Sequence, residues 1–356
     1  MSAAACAALR KRHEIAYIGP IDPPVGVWDR GVSKALRVCG LTGDFPAFAE
    51  RRLVRIATEA ARLTRSEAKL DFFHGFTPWT AIQPARPYVA WSDCAFDDYI
   101  DVFHDRTRFR EHDLARISDA EGRWLRGAER VLFTSEWAAG RAARRHRLDP
   151  ARVGVVGIFG EIEPPGADAY DGRPSFAFVS TDFTAKGGRV VLEAFARLRS
   201  QWPDAELTIV GAPPPGPTPA GATYAGYLRK EAADEAARLR EILASAAAIV
   251  HPTRRDIAPL LLVEAALFGT PAIASRRFAI PELVRDGETG WLLDRPEDPN
   301  EVATAMARVL AEPDAVRRTR DAAWAKARTE HARARFEARL LSFVDAALAE
   351  AAAAAA

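Results

Sequence analysis

The chain lacks most of the features that would place it in several common classes. Only three cysteines occur in 356 residues, Cys6, Cys39 and Cys94, isolated and odd in number. That excludes a disulfide framework and the Cys-x-x-Cys spacing of a thiolate metal site. No run of 18 apolar residues is present, although 48% of the chain is hydrophobic, so no membrane-spanning helix is indicated. Excess charge is missing too. Forty-nine basic residues against 48 acidic ones leave a formal net charge of +1, which gives no reason to expect nucleic acid as a partner. The opening MSAAACAALRKRHE sets its charges after the small apolar residues, the reverse of a secretory leader, and predicts a cytoplasmic protein. The first strand-turn reads Gly19-Pro20-Ile21-Asp22 rather than GxGxxG, which argues against a nicotinamide-dependent dehydrogenase. Lysine is scarce, at six residues, so a lysine in a special place carries information.

The length suggests two domains with ample core. Short apolar runs alternate with helical patterns. Strands are predicted at Ile15–Ile18, Leu70–Phe73, Tyr88–Trp91, Arg130–Phe133 and Val153–Val156, then at Phe176–Val179, Glu206–Val210, Ala247–Val250 and Pro271–Ala274. That alternation predicts an α/β protein with two doubly wound parallel sheets. Between them, Gly160–Pro174 has the Pro/Gly composition of a linker.

The most informative stretch is His251–Leu293. Within it, Pro259–Phe268 reads as a helix, with Pro259 suited to its first position and Gly269 and Pro271 as a stop. Such a helix is apolar all round and should be buried. Glu264 sits in its middle, where a carboxylate is costly unless something binds it. A buried arginine and a ligand both remain open as partners. Asp256 lies eight residues earlier, and the helix start between the two acids favours an anion. Farther back, Phe176–Val179 is followed by Ser180-Thr181-Asp182-Phe183-Thr184-Ala185-Lys186-Gly187-Gly188 and a helix over Arg189–Arg199. A strand, a glycine-bearing turn with one lysine and a helix start form a phosphate-binding arrangement, though not a Walker A loop.

Asp256-x7-Glu264, Pro281-Glu282-Leu283-Val284 and Asp286-Gly287-Glu288-Thr289-Gly290 occur in order over one segment. The set resembles the carboxy-terminal half of retaining glycosyltransferases of family GT4 (glycosyl transferases group 1), with Asp256 where the family usually has Glu. The resemblance covers about residues 174–310. It implies the GT-B fold, two Rossmann-like parallel-sheet domains facing across a cleft. The implied division is an acceptor-side domain over 1–163, a hinge over 164–174 and a nucleotide-sugar-binding domain over 175–330. A final helix over 331–350 is expected to return to the first domain, ahead of a low-complexity tail over 351–356.

The same resemblance implies site roles. Glu264 takes the ribose hydroxyls of a nucleotide-diphosphate sugar. Lys186, Gly187 and the start of the helix that opens at Pro259, Leu260 included, hold the diphosphate. Asp256 lies near the transferred sugar. Tyr227, in Ala225–Leu228, borders the base, and Asp182 and Phe183 are assigned as further contacts to the donor. The sugar is expected to be hexosyl and transferred with retention of configuration, without metal or other cofactor. The family's Arg six residues before the lysine is Ser180 here, and its frequent His after the second strand is replaced by Ser92 and Asp93. Asp93 is assigned as a polar contact to sugar or acceptor, with a helix-cap role as its alternative. His74, at the end of the preceding strand, is a second candidate for that crevice.

The acceptor is expected to be a glycan, a lipid-linked sugar or a small molecule, in keeping with cell-envelope glycan biosynthesis. A long helix over Asp44–Lys69 places Arg51, Arg55, Arg62, Arg65 and Lys69 on one line. That stripe is either a solvated face or a peripheral contact with anionic lipid at the inner face of the cell membrane. Asp97-Asp98 is expected to be a solvent-facing pair rather than a metal site. The alternatives are a degenerate GT-B protein that binds a nucleotide sugar or glycan without catalysis, and a sugar-nucleotide epimerase.

Overall fold

A computed structural model describes residues 2–17, 19–63 and 67–355. The chain forms two compact units, Met1–Gly157 with Phe336–Ala356, and Ile158–Arg335.

The first unit contains α1 (Ser2–Leu9), α2 (Val27–Val38), α3 (Glu50–Leu63), β1 (Asp71–His74), β2 (Tyr88–Ser92), α4 (Phe96–Phe103), α5 (Glu111–Arg126), β3 (Arg130–Phe133), α6 (Glu136–His146) and β4 (Val153–Val155). Its four strands are parallel, in the order β1-β2-β3-β4. Tyr88, Ala90, Val131 and Phe133 alternate into one buried cluster with Trp124 and Ala138, as alternate residues of a strand share a face. Ser135 caps α6, accepting from Ala138 N–H at 3.3 Å.

Two expectations for this half need correction. Residues 15–17 form no strand, and Ile18 lies outside the described residues. Ile15, Ala16 and Tyr17 have no neighbouring strand and face solvent to varying degrees. The helix predicted over Asp44–Lys69 is shorter. A 3-10 turn at Pro46–Phe48 precedes α3, which ends at Leu63, and Arg65 lies outside the described residues.

The second unit contains β5 (Ser175–Ser180), α7 (Gly188–Leu198), β6 (Glu206–Gly211), β7 (Ala222–Gly226), α8 (Ala233–Ser245), β8 (Ala248–His251), α9 (Leu260–Leu267), β9 (Ala272–Ser275), α10 (Ile280–Leu283), β10 (Gly290–Leu293), α11 (Pro299–Ala311) and α12 (Pro313–Glu330). The last helix, α13 (Arg333–Ala355), runs from this unit into the first. The six strands are parallel in the order β10-β9-β8-β5-β6-β7. The chain therefore starts at β5, moves outward to β7, then returns to lay β8 on the other side of β5. That reversal is a switch point, where the loops leaving adjacent strands diverge and open a crevice at the strands' carboxyl ends.

Part of the Pro-rich segment is fixed to this unit. The Arg320 guanidinium, fully buried on α12, donates to Asp168 at 2.8 Å from Nε and 2.5 Å from Nη2. It also donates to the carbonyls of Ala246, Ala244 and Phe268 and lies 4.5 Å over the Tyr170 ring. A buried charge is tolerated when it is this fully bonded.

Candidate functional site

At the switch point, the turn after β5 and the loop after β8 meet. Within the first, Asp182 Oδ1 accepts from Ala185 N–H at 2.9 Å, and Lys186 N–H returns to Asp182 O at 3.1 Å. Gly187 completes the turn at φ +86°, and a Cβ there would come within 2.7 Å of the Pro252 carbonyl oxygen. Only glycine suits both the left-handed backbone and that approach. The turn points Lys186 at the second loop. Its ammonium donates to Asp256 Oδ2 and, at 2.8 Å, to Arg255 O. An ammonium has three N–H groups, so one is left for a further acceptor.

Asp256 also faces His251, whose Nε2 stands 3.8 Å from Oδ2. Burial works against ionising Asp256, but His251 and Lys186 outweigh it and hold the carboxyl below its ordinary pKa. Asp256 is thus an anion at neutral pH.

Glu264 lies on the second turn of α9 with 3% of its surface exposed. Its partner is neither buried nor an arginine. Lys230 Nζ, on the segment between β7 and α8, donates to Oε1 at 2.5 Å, and 39% of that side chain is exposed. Glu161 N–H reaches the same oxygen at 3.4 Å. This approach depends on Gly160, since a Cβ there would collide with Leu267 and touch Glu264. The two acids and two lysines therefore make two separate pairs, Lys186 with Asp256 and Lys230 with Glu264. Pro259 takes the cap position of α9 rather than its first helical residue. The first N–H groups of any α-helix have no partner within it, and here they lie between the two pairs in sequence.

The remaining assigned residues are distributed as follows. Leu260 is half-buried at the start of α9, and Tyr227, just beyond β7, is 60% exposed. Phe183 needs correction as a ligand contact. Its ring is buried against Phe178, 5.5 Å between centroids, and Gly188 lies flush on it, so it belongs to the core. Ser180 is buried and committed to the turn, its hydroxyl donating to Asp182 O at 2.8 Å and accepting from Asp182 N–H at 3.0 Å. His251, Lys230 and Gly160 were not assigned from sequence. For Lys230 the scarcity of lysine was the available signal.

In the first unit, Asp93 is exposed just after β2. It does not cap α4. The cap residue is Ala95, and the Phe96 N–H is taken by Glu121 at 2.7 Å. His74 closes β1 with its ring 4.8 Å from that of Trp91. Burial lowers its pKa, with Asp93 acting in the opposite sense. Asp97 and Asp98 are not a solvent-facing pair. Asp98 is buried and bound by Arg141, and Asp97 is held by Ser118 and Arg145. Among the described residues, no three His, Cys, Asp or Glu side chains gather as a metal site would require.

Two parallel α/β units, one with a lysine-acid pair at its switch point, define a protein of the GT-B class. Known proteins agree. Residues 173–312, within the second unit, match the family model of the glycosyl transferases group 1. The chain is 33% identical over 243 residues to an MMP alpha-(1->4)-mannosyltransferase of Mycolicibacterium hassiacum, covering 62% of this chain and 58% of that one. It is 29% identical over 208 residues to a D-inositol 3-phosphate glycosyltransferase of Corynebacterium glutamicum, half of each chain. The chain thus spans about half the length of the curated relatives it matches. Among solved structures, the HepE protein of Anabaena in complex with UDP-glucose superposes with a TM-score of 0.59 at 14% identity, covering 96% of this chain and 88% of that one. At that identity the likeness speaks for the fold.

Proposed function

We propose that this protein is a glycosyltransferase that takes a hexosyl sugar from a nucleotide-diphosphate donor. The observation that carries the reading is the pairing of Lys186 with Asp256 at the switch point, just ahead of the start of α9, on whose second turn the buried Glu264 lies. In this reading the diphosphate lies between Lys186 and the first N–H groups of α9. As the sugar-phosphate bond breaks, negative charge grows on the leaving phosphate. The ammonium and the helix start stabilise it more than they stabilise the intact donor, which lowers the barrier. Glu264 accepts from the ribose hydroxyls. Asp256, held as an anion, stands where positive charge develops at the anomeric carbon. These charges do the work of a metal, so activity should survive a chelator. Transfer with retention is consistent with a leaving phosphate oxygen that takes the acceptor's proton on the same face. The relatives' names favour a phosphorylated or glycan acceptor, and the UDP-glucose complex makes UDP-sugars the first donors to test.

The test is donor-induced thermal stabilisation with UDP-, GDP- and ADP-sugars, followed by transfer assays in EDTA. Wild type should respond to one base, and Glu264→Ala and Lys186→Ala should each abolish the response. A shift that survives both substitutions would place the donor elsewhere. Stabilisation without transfer to any acceptor would favour the non-catalytic binding protein.

The first unit also supports peripheral contact with an anionic membrane. On α2, Val27, Trp28, Val32 and Val38 are 76%, 81%, 53% and 81% exposed. At helical spacing they fall within about 140° of one face. Arg30 and Lys34 are exposed on another flank, and Arg51, Arg55 and Arg62 are exposed along α3. An apolar face bearing tryptophan beside basic residues fits a lipid interface. Among the described residues, no helix is long and apolar enough to cross a membrane. Co-sedimentation with phosphatidylcholine vesicles should require added phosphatidylglycerol and should fall in Trp28→Ser. Equal binding to both vesicle types would refute the charge contribution.

A further inference from the structure

We propose that Lys230 is a positioning residue of the donor site. It fixes Glu264 so that one carboxylate oxygen is held for the vicinal diol of a ribonucleotide. The inference rests on the reading of Glu264 as the ribose contact.

A carboxylate oxygen offers two lone-pair directions. On Glu264, Oε1 receives both the Lys230 ammonium, at 2.5 Å, and the Glu161 N–H, at 3.4 Å. No hydrogen bond from the described residues reaches Oε2. One oxygen is thus occupied by the protein and the other keeps both lone pairs. Two hydroxyls on neighbouring carbons suit that remaining oxygen. A 2′-deoxyribose supplies only one of them.

The clamp is itself anchored. Arg229, next to Lys230, donates its N–H to Glu235 Oε2 at 2.6 Å and its guanidinium to both Glu235 oxygens. Glu235 lies in the first turn of α8, so the segment bearing Lys230 is tied to a helix. The Glu161 N–H comes from the opposite side of the sequence, before β5, and Gly160 allows its backbone to approach α9. Two separate segments therefore fix one side chain whose own helix buries it. With 39% of its side chain exposed, Lys230 lies outside the core, so its removal affects Glu264 more than the core. Without the ammonium, the carboxylate loses its charge partner, turns to seek other donors, and no longer presents Oε2.

The test is isothermal titration of wild type, Lys230→Ala, Lys230→Arg and Glu264→Ala. The probes are UDP, GDP and ADP, with the 2′-deoxy counterpart of whichever binds. Wild type should prefer the ribonucleotide. Lys230→Ala should weaken it about tenfold, the effect of a lost charged hydrogen bond, and should remove most of the preference over the deoxy form. Lys230→Arg, which keeps the charge, should restore much of both. Lys230→Met, of similar length and uncharged, replaces the alanine variant if that one does not fold. A general loss of structure would weaken both nucleotides equally and leave their ratio unchanged, and that result overturns the inference. A wild-type ratio in Lys230→Ala together with a lost ratio in Glu264→Ala overturns Lys230 alone and leaves the donor reading standing. If wild type binds no nucleotide, or Glu264→Ala binds as wild type does, the donor reading fails and this inference with it.

Discussion

Among the described residues, each unit buries one glutamate on a helix, and the two are satisfied in different ways. Glu121, on α5 of the first unit, is fully buried. Its oxygens accept from Thr77 Oγ1 at 2.5 Å and from the Phe96 N–H at 2.7 Å. Among the described residues no lysine or arginine bonds it, and His146 Nε2 stands 3.8 Å away. Burial pushes its pKa up to about 7, and the two hydrogen bonds recover only part of that shift. Glu264 is nearly as buried but meets a lysine. Glu121 has neutral donors on both oxygens and no room for a ligand. It ties the loop after β1 to the start of α4, after β2, and so holds the strand ends that carry His74 and Asp93. Glu264 has its protein donors on one oxygen only. The first arrangement is a structural clamp, and the second leaves one oxygen without a protein donor among the described residues.

That contrast breaks first on stability. Glu121→Ala leaves the Thr77 hydroxyl and the Phe96 N–H unpaired in the core and opens a cavity. A loss of roughly 3–5 kcal/mol is expected, read from urea denaturation at pH 7. A loss within about 0.5 kcal/mol would mean that water or another group can replace the clamp.

Next comes pH. The folded Glu121 carboxyl titrates at about 7, above the unfolded value of about 4.3, so the folded chain holds the proton more tightly. Its contribution is fully present below the unfolded pKa and is lost as pH rises through 7, with a total of roughly 3 kcal/mol. His146 works in the other sense, since burial lowers its pKa and neutral imidazole must charge as pH falls. Glu121→Gln removes only the first contribution. Relative to wild type, this variant should therefore gain stability between pH 5 and 8 in paired denaturation curves. Parallel curves across that range would show that Glu121 stays ionised, with a cation this structure does not pair with it.

The same two residues show what sequence could reveal. The surroundings of Glu264 were legible because their logic is local. An apolar helix with one acid, a glycine-bearing turn with one lysine and an ordered downstream segment all lie on continuous stretches. Its partner was not legible, because 34 residues and a strand-to-helix crossing separate Lys230 from Glu264. Glu121 was hidden among the acids of α5. Glu111 and Asp119 on the same helix are exposed, and only the packing of two loops over one turn singles it out. Phe183 failed for a related reason. In sequence it borders the glycine-bearing turn, yet in the fold its ring fills the space that Gly188 leaves open. Ile15–Tyr17, the described part of a run with the composition of a strand, gains no neighbour. By contrast, β5, β6, β8 and β9 of the second sheet were legible as apolar runs because the sheet is covered on both faces there, whereas the edge strands β7 and β10 were not.

The smallest expected stability effect is the sharpest separation of the two glutamates. Glu264→Gln keeps the side chain's shape and removes its charge. Lys230 then loses an ion pair, but with 39% of its side chain exposed water solvates the ammonium, and an amide oxygen still accepts one bond. Stability should change by less than about 1 kcal/mol. Nucleotide binding should fall about tenfold, because a neutral oxygen accepts a hydroxyl more weakly than a charged one. The same urea curve and a thermal-shift titration measure both quantities. A stability loss as large as that of Glu121→Ala, with an unchanged nucleotide response, would make Glu264 a second structural clamp. The reverse pattern, a fold that does not register the charge and a ligand that does, is expected of a carboxylate whose open oxygen is the working part of the site.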